Sequence, residues 1–499
     1  MTRTMTAAPV AAFACLAFAM LGAGATGSGL LSDDVLRLWA GASSAGDGQV
    51  PLGRIIAAYP TIPFMTTTLF AAVAPDGVPV PAVVAACLLG LLAGSWVLAL
   101  RDAGLTFAAA SVTALLLAFH PALLRAVIGG PADVFLVIFL FLLGRSLYGL
   151  RARAAAPEVM AVGLALLGLA FSHPFGAAIA FAAVPFLAFA VPPRVVVTKS
   201  AFNIVVALVF PTIFAICAFV YVSWVFPGNG WSFLAAPAES LSQWSVGMAR
   251  VFGEGLTGSL ALDAAVATAA TLALGAPVVV VALALVRRRR PLVGPALVFA
   301  AIVVAAAATA VATGLFGDPI PVAGAAPVLA AVVVMHTPII RERFWLVIAL
   351  LAAGWLGGAT SVAIVDPASV SHARALIDGS DGEGEKERTD TLALGGKTGG
   401  HTGVLVDTGN APAVVMGRGH ARGLFGPLGE PFTLALVLAR IETPLVAVPD
   451  PQSALGTNDR LNRAFPMLHR NGAPGYRLVY QNQTWRLFQK SDDDPIYKY

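Results

Sequence analysis

Through the first 365 residues, apolar runs of about one membrane thickness alternate with short polar connections. A helix crossing a hydrocarbon layer about 30 Å thick needs about 20 apolar residues. Candidate spans fall at roughly 7–31, 80–100, 104–120, 131–150, 157–173, 174–192, 201–226, 259–286, 291–316, 320–336 and 343–365. This pattern predicts a polytopic α-helical membrane protein with about eleven transmembrane helices. The first run is long for the apolar region of a signal peptide and reads as a retained span, although Arg3 precedes it. The segment 55–75 (IIAAYPTIPFMTTTLFAAVAP) is also apolar, but it carries Pro60, Pro63 and three consecutive threonines, and it reads as interfacial.

Composition agrees. The chain has 499 residues, 58% hydrophobic and 12% charged, with a mean hydropathy of +0.82. Soluble domains carry about 25% charged residues, so soluble, disordered and fibrous classes are excluded. The net charge of +4 arises from 31 basic and 27 acidic residues, too balanced for a nucleic-acid binder. Cys15, Cys87 and Cys217 lie far apart in apolar segments, so no disulfide framework or metal motif is readable.

Charge sets the orientation. With 55–75 interfacial and the N-terminus inside, the cytoplasmic side carries Arg3, Arg101, Arg145, Arg151, Arg153, Arg194, Lys199, Arg287 to Arg290, Arg341 and Arg343. The outward side of the membrane half carries only Arg37, Arg54, Arg125 and Arg250. This is the positive-inside pattern. It predicts a multi-pass protein of the cell inner (plasma) membrane, with a cytoplasmic N-terminus and an extracytoplasmic (periplasmic) C-terminal domain. The domains expected are a transmembrane region at 1–365, a flexible linker at 366–402 and a small α/β domain at 403–499. The transmembrane region includes a first outer loop at 32–79 with interfacial helices and an outer loop at 227–258. Within the α/β domain, GVLVD (403–407), PAVVM (412–416), PLVAV (444–448), YRLVY (476–480) and TWRLF (484–488) read as strands, and 429–441 and 456–469 as helices.

Ionisable groups at a membrane are costly and mark function. In this topology nine acidic residues of the membrane half face outward, among them Asp33, Asp34, Asp133, Glu239 and Asp318. A site is expected to open outward. The sharpest feature is SDDVLRLW at 32–39, an adjacent acidic pair directly after the first span. One carboxylate there can act as a general base toward an attacking hydroxyl. The same pair can hold a divalent cation through oxygen. A third reading is an N-cap for an interfacial helix with Arg37 as ion-pair partner. Asp133 and Asp318, at outer helix ends, read as helix caps.

This arrangement resembles the GT-C superfamily of integral-membrane glycosyltransferases, particularly the family 39-like branch with the protein O-mannosyltransferases and lipid A aminoarabinose transferases. The resemblance rests on the acidic pair in a long first outer loop, the Pro-containing interfacial segment, HPALLRAVIGGPAD at 120–133, FSHPFG at 171–176, the loop at 227–258 and an extracytoplasmic C-terminal domain. The interfacial segment departs from the family in lacking a Pro-Pro pair and charged residues. The resemblance implies an inverting transfer of a sugar from a polyprenyl-phosphate donor at the outer leaflet to an envelope glycan, lipid or protein. It places the catalytic carboxylate on Asp33 or Asp34. Partners implied are the lipid-linked sugar, membrane lipid and the acceptor. No cofactor is specified, and any metal would fall to Asp33 and Asp34.

A lipid phosphate as leaving group needs cationic stabilisation, for which Arg125, His173 and His120 are the candidates. Their plainer readings are a snorkelling arginine and structural histidines. Arg54 and Tyr59, in the first loop, are candidates for the acceptor path. Trp231, Glu239 and Trp244, with Gln243, are candidates for sugar binding, since aromatic faces stack on pyranose rings; the tryptophans equally suit an interface belt. Two rival functions remain at this level. A transporter or flippase of lipid-linked glycans predicts internal repeats and mid-membrane charges, and the sequence has neither feature. A non-catalytic scaffold or assembly subunit would keep the architecture without needing the acidic pair.

Overall fold

The computed structural model describes residues 2–27, 31–48, 50–75, 77–153, 155–192, 201–225, 259–285, 294–314, 320–366, 370 and 385–491. The chain divides into two compact bodies. The first comprises 1–30, 59–63 and 82–374, and the second 31–58, 64–81 and 375–499.

The first body is helical. Among the described residues, six helices are long and apolar enough to cross a membrane, or up to eight if each of two bent pairs counts as one span. The six lie within Ala7–Thr26, Val80–Asp102, Gly130–Ala152, Val205–Val225, Gly294–Thr313 and Phe344–Ala363. Several expected spans are shorter or broken. Ala156–Ser172 and Pro174–Ala190 have 17 residues each, about 26 Å of helix at 1.5 Å per residue. The run at 320–336 opens with a 3-10 turn, leaving Ala325–His336 as α-helix. Phe107–Ala118 meets Pro121–Ile128 at 58°, and Leu260–Gly275 meets its continuation from Pro277 at 86°. Both bends fall at proline, which has no N–H to donate and clashes with the preceding turn.

Small residues let these helices approach closely. A Cβ added to Gly90 would come within 2.7 Å of Cys15 Cβ, one added to Gly94 within 2.9 Å of Ala11 Cβ, and one added to Gly22 within 2.8 Å of Ala82 Cβ. These contacts seat Thr2–Gly27 against Val80–Asp102. The Sγ atoms of Cys15 and Cys87 meet there at 3.7 Å as free thiols.

The second body is a five-stranded mixed sheet between helices. Its strands are β1 (Val404–Leu405), β2 (Leu424–Phe425), β3 (Leu445–Pro449), β4 (Tyr476–Gln481) and β5 (Trp485–Lys490). Their order is β2-β1-β3-β5-β4. The first three strands are mutually parallel, with Val404 opposite both Leu424 and Leu445. The β3–β5 and β5–β4 pairs are antiparallel, with Val446 opposite Phe488 and Leu478 opposite Phe488. Alternate residues serve two cores, because successive strand side chains point to opposite faces. Val404, Leu445, Ala447, Trp485 and Leu487 pack with Leu394, Val414 and Val415. Leu405, Val446, Val448 and Phe488 pack with Phe432, Ala435, Leu461 and Leu468.

Several sequence expectations are corrected here. PAVVM is not a strand: Ala413–Arg418 is a helix on the first of these cores. A short apolar run does not distinguish the two, and a parallel β1–β2 pair requires a crossover between its strands. The single helix expected at 456–469 is three short pieces, Ala454–Asn458, Arg460–Ala464 and Leu468–Asn471, restarted by a cap at Asp459. The linker expected at 366–402 contains the helix Glu385–Thr398, which buries Leu394, Thr391 and Thr398. The first outer loop, grouped by sequence with the membrane half, belongs mostly to this second body. Its helix Asp33–Gly46 is amphipathic, and Val35, Leu36, Trp39 and Ala40 are buried. Ala40 joins the β-sheet core, and Ala45 packs with Val50, Phe64 and Leu428. The interfacial segment forms Leu52–Ile56 and Thr61–Ala71, neither long enough to span. Leu52, Ile56, Leu69 and Val73 remain exposed.

Candidate functional site

The candidate residues fall in both bodies. In the first, the two His-Pro pairs do the same local job. Proline suits the first turn of a helix, where its missing N–H has no partner to lose, and the histidine before it is the N-cap. His120 Nδ1 accepts from the Ala122 N–H at 3.2 Å, and His173 Nδ1 accepts from the Phe175 N–H at 3.0 Å. An imidazole here replaces the usual Ser or Asp. With Nδ1 accepting, the ring proton sits on Nε2.

The two Nε2 groups meet different partners. His120 Nε2 lies 3.2 Å from the Gly275 carbonyl and 3.0 Å from that of Gly354. Gly275 is the last residue before the 86° bend, where its carbonyl has left the helical ladder. Gly358 makes room for the ring, since a Cβ there would lie 2.2 Å from His120 Cε1. His120 thus pins a helix break to its neighbour. His173 Nε2 instead faces Asp133 Oδ1 at 3.6 Å.

Asp133 anchors an ionic cluster. Arg125 Nη1 is 3.3 Å from Asp133 Oδ2, and Arg125 Nε donates to Asp366 Oδ2 at 2.5 Å. All four side chains are largely or wholly withdrawn from solvent. Asp133 is therefore an ion-pair partner. It does not cap its helix, whose N-cap is Gly129 without a side-chain bond. Gly129 is where Arg125 and Asp133 converge, because a Cβ there would overlap Asp133 Oδ2 at 1.9 Å. Of the three candidates for the donor phosphate, Arg125 and His173 come together and His120 stands apart. Of the four groups, two are carboxylates and one a guanidinium, so a phosphate reaching Arg125 competes with Asp133 and Asp366. Tyr59, also in this body, donates its hydroxyl to the Ala170 carbonyl at 2.8 Å and packs on Phe219.

In the second body the acidic pair opens the helix Asp33–Gly46, with Ser32 as an N-cap that makes no side-chain bond. The Asp33 side chain lies outside the described residues. Asp34 is 79% exposed, and its Oδ1 accepts from Arg37 Nη1 at 3.0 Å. The other edge of Arg37 donates from Nε to the Gly409 carbonyl at 2.9 Å. Arg37 and Gly409 border an open pocket of about 530 Å³, lined also by Asp407, Asn410, Asn458 and Arg460. Arg54 is structural, donating from Nη1 to the Pro427 carbonyl and from Nη2 to Thr433 Oγ1, each at 2.8 Å.

Next to the pocket, Asp459 caps Arg460–Ala464 by accepting from the Asn462 N–H at 2.8 Å. Burial pushes its carboxyl up to about 7, and the charge of Asp407 pushes the same way, against the hydrogen bond from Asn462. Its Oδ2 is buried without a hydrogen-bond partner among the described residues.

Trp231, Glu239, Gln243 and Trp244, with the whole loop 227–258, lie outside the described residues, as do Asp76, Asp318 and Arg287 to Arg290. Among the described residues no group of three or more His, Cys, Asp or Glu side chains is placed to hold a metal ion. Sequence reasoning missed Asp366, which it assigned to a linker, and the glycines at 354, 357 and 358. The one available signal was GWLGG, a small-residue cluster inside an otherwise bulky span. No family model matches the chain, and no characterised protein or solved structure matches it.

Proposed function

We propose that the chain is an integral-membrane glycosyltransferase that moves a sugar from a polyprenyl-phosphate donor to an extracytoplasmic acceptor. One observation carries this reading: an exposed carboxylate, Asp34, stands on the helix after the first span, held by an arginine that also borders an open polar pocket. Asp34 or its neighbour Asp33 takes the proton from an acceptor hydroxyl. The hydroxyl oxygen attacks the anomeric carbon, and the bond to the polyprenyl phosphate breaks with inversion. Within the first body, Arg125 and His173 are the groups we assign to a lipid phosphate, which displaces Asp366 or Asp133 from the guanidinium. About eleven spans, a cytoplasmic N-terminus and an extracytoplasmic second body complete the proposal, with the basic connections as its support.

A second reading, a non-catalytic assembly subunit, is favoured by the same Arg125, whose charge is already met within the protein. The deciding experiment is release of polyprenyl phosphate from a panel of polyprenyl-phosphate sugars with an envelope extract as acceptor, for wild type, Asp33→Asn and Asp34→Asn. Release that collapses in one variant supports the transferase and identifies the base. No release from folded wild-type protein overturns it in favour of the assembly subunit.

A further inference from the structure

The proposed chemistry assigns no ligand to the pocket of the second body, and the construction of that pocket is specific. It lies at the carboxyl ends of the parallel strands β1 and β2, the edge where α/β sheets bind ligands. At about 530 Å³ it is within the usual range for small-ligand sites.

Asp407 builds its floor. This fully buried carboxylate follows β1 and accepts from three backbone N–H groups: Gly409 at 3.1 Å, Asn410 at 3.3 Å and Arg460 at 3.1 Å. The loop after β1 is thereby tied to the start of Arg460–Ala464. Its Oδ2 also lies 3.6 Å from Arg460 Nε, which orients that guanidinium. Arg37 is oriented from the other side by its bonds to Gly409 and Asp34. Glycines let the walls close in. A Cβ on Gly426 would come within 2.2 Å of Thr408 Oγ1, and one on Gly41 within 3.2 Å of Leu428.

What remains to meet a ligand is mostly donor. The Asp407 oxygens are taken by N–H groups. Neither terminal nitrogen of Arg460 has a protein partner among the described residues, and Nη2 of Arg37 has none. Asn458 uses its carbonyl oxygen on Arg463, which leaves its amide N–H groups. Asn410 uses its amide on the Leu455 carbonyl, which leaves one acceptor. Leu424 and Leu428 add apolar surface. Two forked guanidiniums match a carboxylate or phosphate, the amides suit hydroxyls, and the leucines suit the C–H face of a ring. Beyond their contacts to Asp34 and Asp407, both guanidiniums keep terminal N–H groups facing the pocket, and an anionic oxygen accepts from these more strongly than a neutral hydroxyl does.

We propose that this pocket binds an acid-bearing sugar, carboxylated or phosphorylated, as part of the acceptor glycan. The assignment rests on the transferase reading for the word acceptor, and on the pocket alone for the ligand class.

The test uses the full chain in detergent micelles with glucuronate, glucose 6-phosphate and glucose as probes, with binding read by ligand-observed NMR. One or both acid sugars bind and glucose does not; which of the two binds names the acid. Arg460→Gln and Arg37→Gln each weaken that binding about tenfold or more, the worth of a charge-assisted bond. Both side chains are about half exposed, so neither variant threatens the fold. Equal binding of glucose, no binding of any probe, or binding indifferent to both variants overturns the proposal. Release of polyprenyl phosphate is scored separately. Acid-sugar binding without release removes the transferase and keeps the pocket, and release without binding does the reverse.

Discussion

Arg125 donates from Nε to the Asp366 carboxylate at 2.5 Å, across 241 residues of sequence. The contact explains an otherwise awkward choice. Asp366 directly follows the helix Phe344–Val365 as its C-cap, where the helix dipole disfavours a negative charge. Only a cation brought by another element makes the position tolerable.

Arg125→Gln therefore removes the guanidinium that both buried carboxylates, Asp366 and Asp133, contact. Breaking one partner of a buried pair costs about 3–5 kcal/mol, and the variant is expected to unfold well below wild type in detergent. Arg125→Lys rescues only part of the loss, because the donors of one ammonium nitrogen cannot reproduce the spacing of Nε and Nη1, which meet Asp366 and Asp133 separately. In a double-mutant cycle, Arg125→Gln with Asp366→Asn falls short of the sum of the single losses. Additive losses would show that the two side chains do not cooperate.

The His120 pin makes a second prediction. Its Nε2 serves carbonyls of two helices and its Nδ1 caps a third. His120→Ala removes the partner of the Ala122 N–H and of the helix-end Gly275 carbonyl in the interior, at about 1–3 kcal/mol for each group lost. Gly358→Ala reaches the same site from the other side, by pushing a methyl into the ring. Thermal unfolding of both variants checks this, and a wild-type transition for Gly358→Ala would mean that the ring is not held there.

How much of this was legible follows from the range of each signal. Apolar runs declare a membrane protein because hydropathy is local and summed. The same summation reads straight through Gly275 and Pro277, although the chain turns by 86° there. PAVVM failed as a strand because a five-residue apolar run carries no usable period. The His-Pro pairs were visible as pairs, but their capping depends on ring orientation. Arg125 and His173 were found as candidates, whereas Asp366 was not, since nothing near it in sequence announces a partner so distant. Likewise the Asp33–Gly46 helix gave no hint that its apolar face joins a sheet formed by residues after 403.

Asp459 makes stability depend on pH in an unusual direction. Its carboxyl stands at about 7 in the folded protein, raised first by burial and then by Asp407. The folded state therefore holds a proton that the unfolded chain releases above about pH 4. The group's contribution is full below that point and is lost as pH rises toward 7. Between about pH 5 and 7 the loss is about 2 kcal/mol. Asp459→Asn keeps an acceptor for the Asn462 N–H and removes the titration, so its stability stays flat over the same window. Denaturant midpoints of the two proteins across that range decide the matter, and parallel slopes would rule it out.

The acidic pair allows structural and chemical roles to be separated. The Asp34–Arg37 contact is solvent-exposed, at 79% and 46% for the two side chains. Such pairs contribute about 0–1 kcal/mol, so Asp34→Asn leaves the unfolding transition within about 0.5 kcal/mol of wild type. If Asp34 is the base, the same substitution lowers polyprenyl-phosphate release by a factor of about 100 or more, the usual worth of general-base catalysis. The loss appears in kcat, because asparagine keeps the shape and the bond to Arg37 but cannot take the proton. An Arg37→Lys variant separates the two further: it keeps a cation beside Asp34 but loses the second N–H to the Gly409 carbonyl. Its effect is expected in the KM for the acceptor, with kcat nearly unchanged. A kcat loss for Arg37→Lys as deep as that of Asp34→Asn would instead place Arg37 in the chemical step.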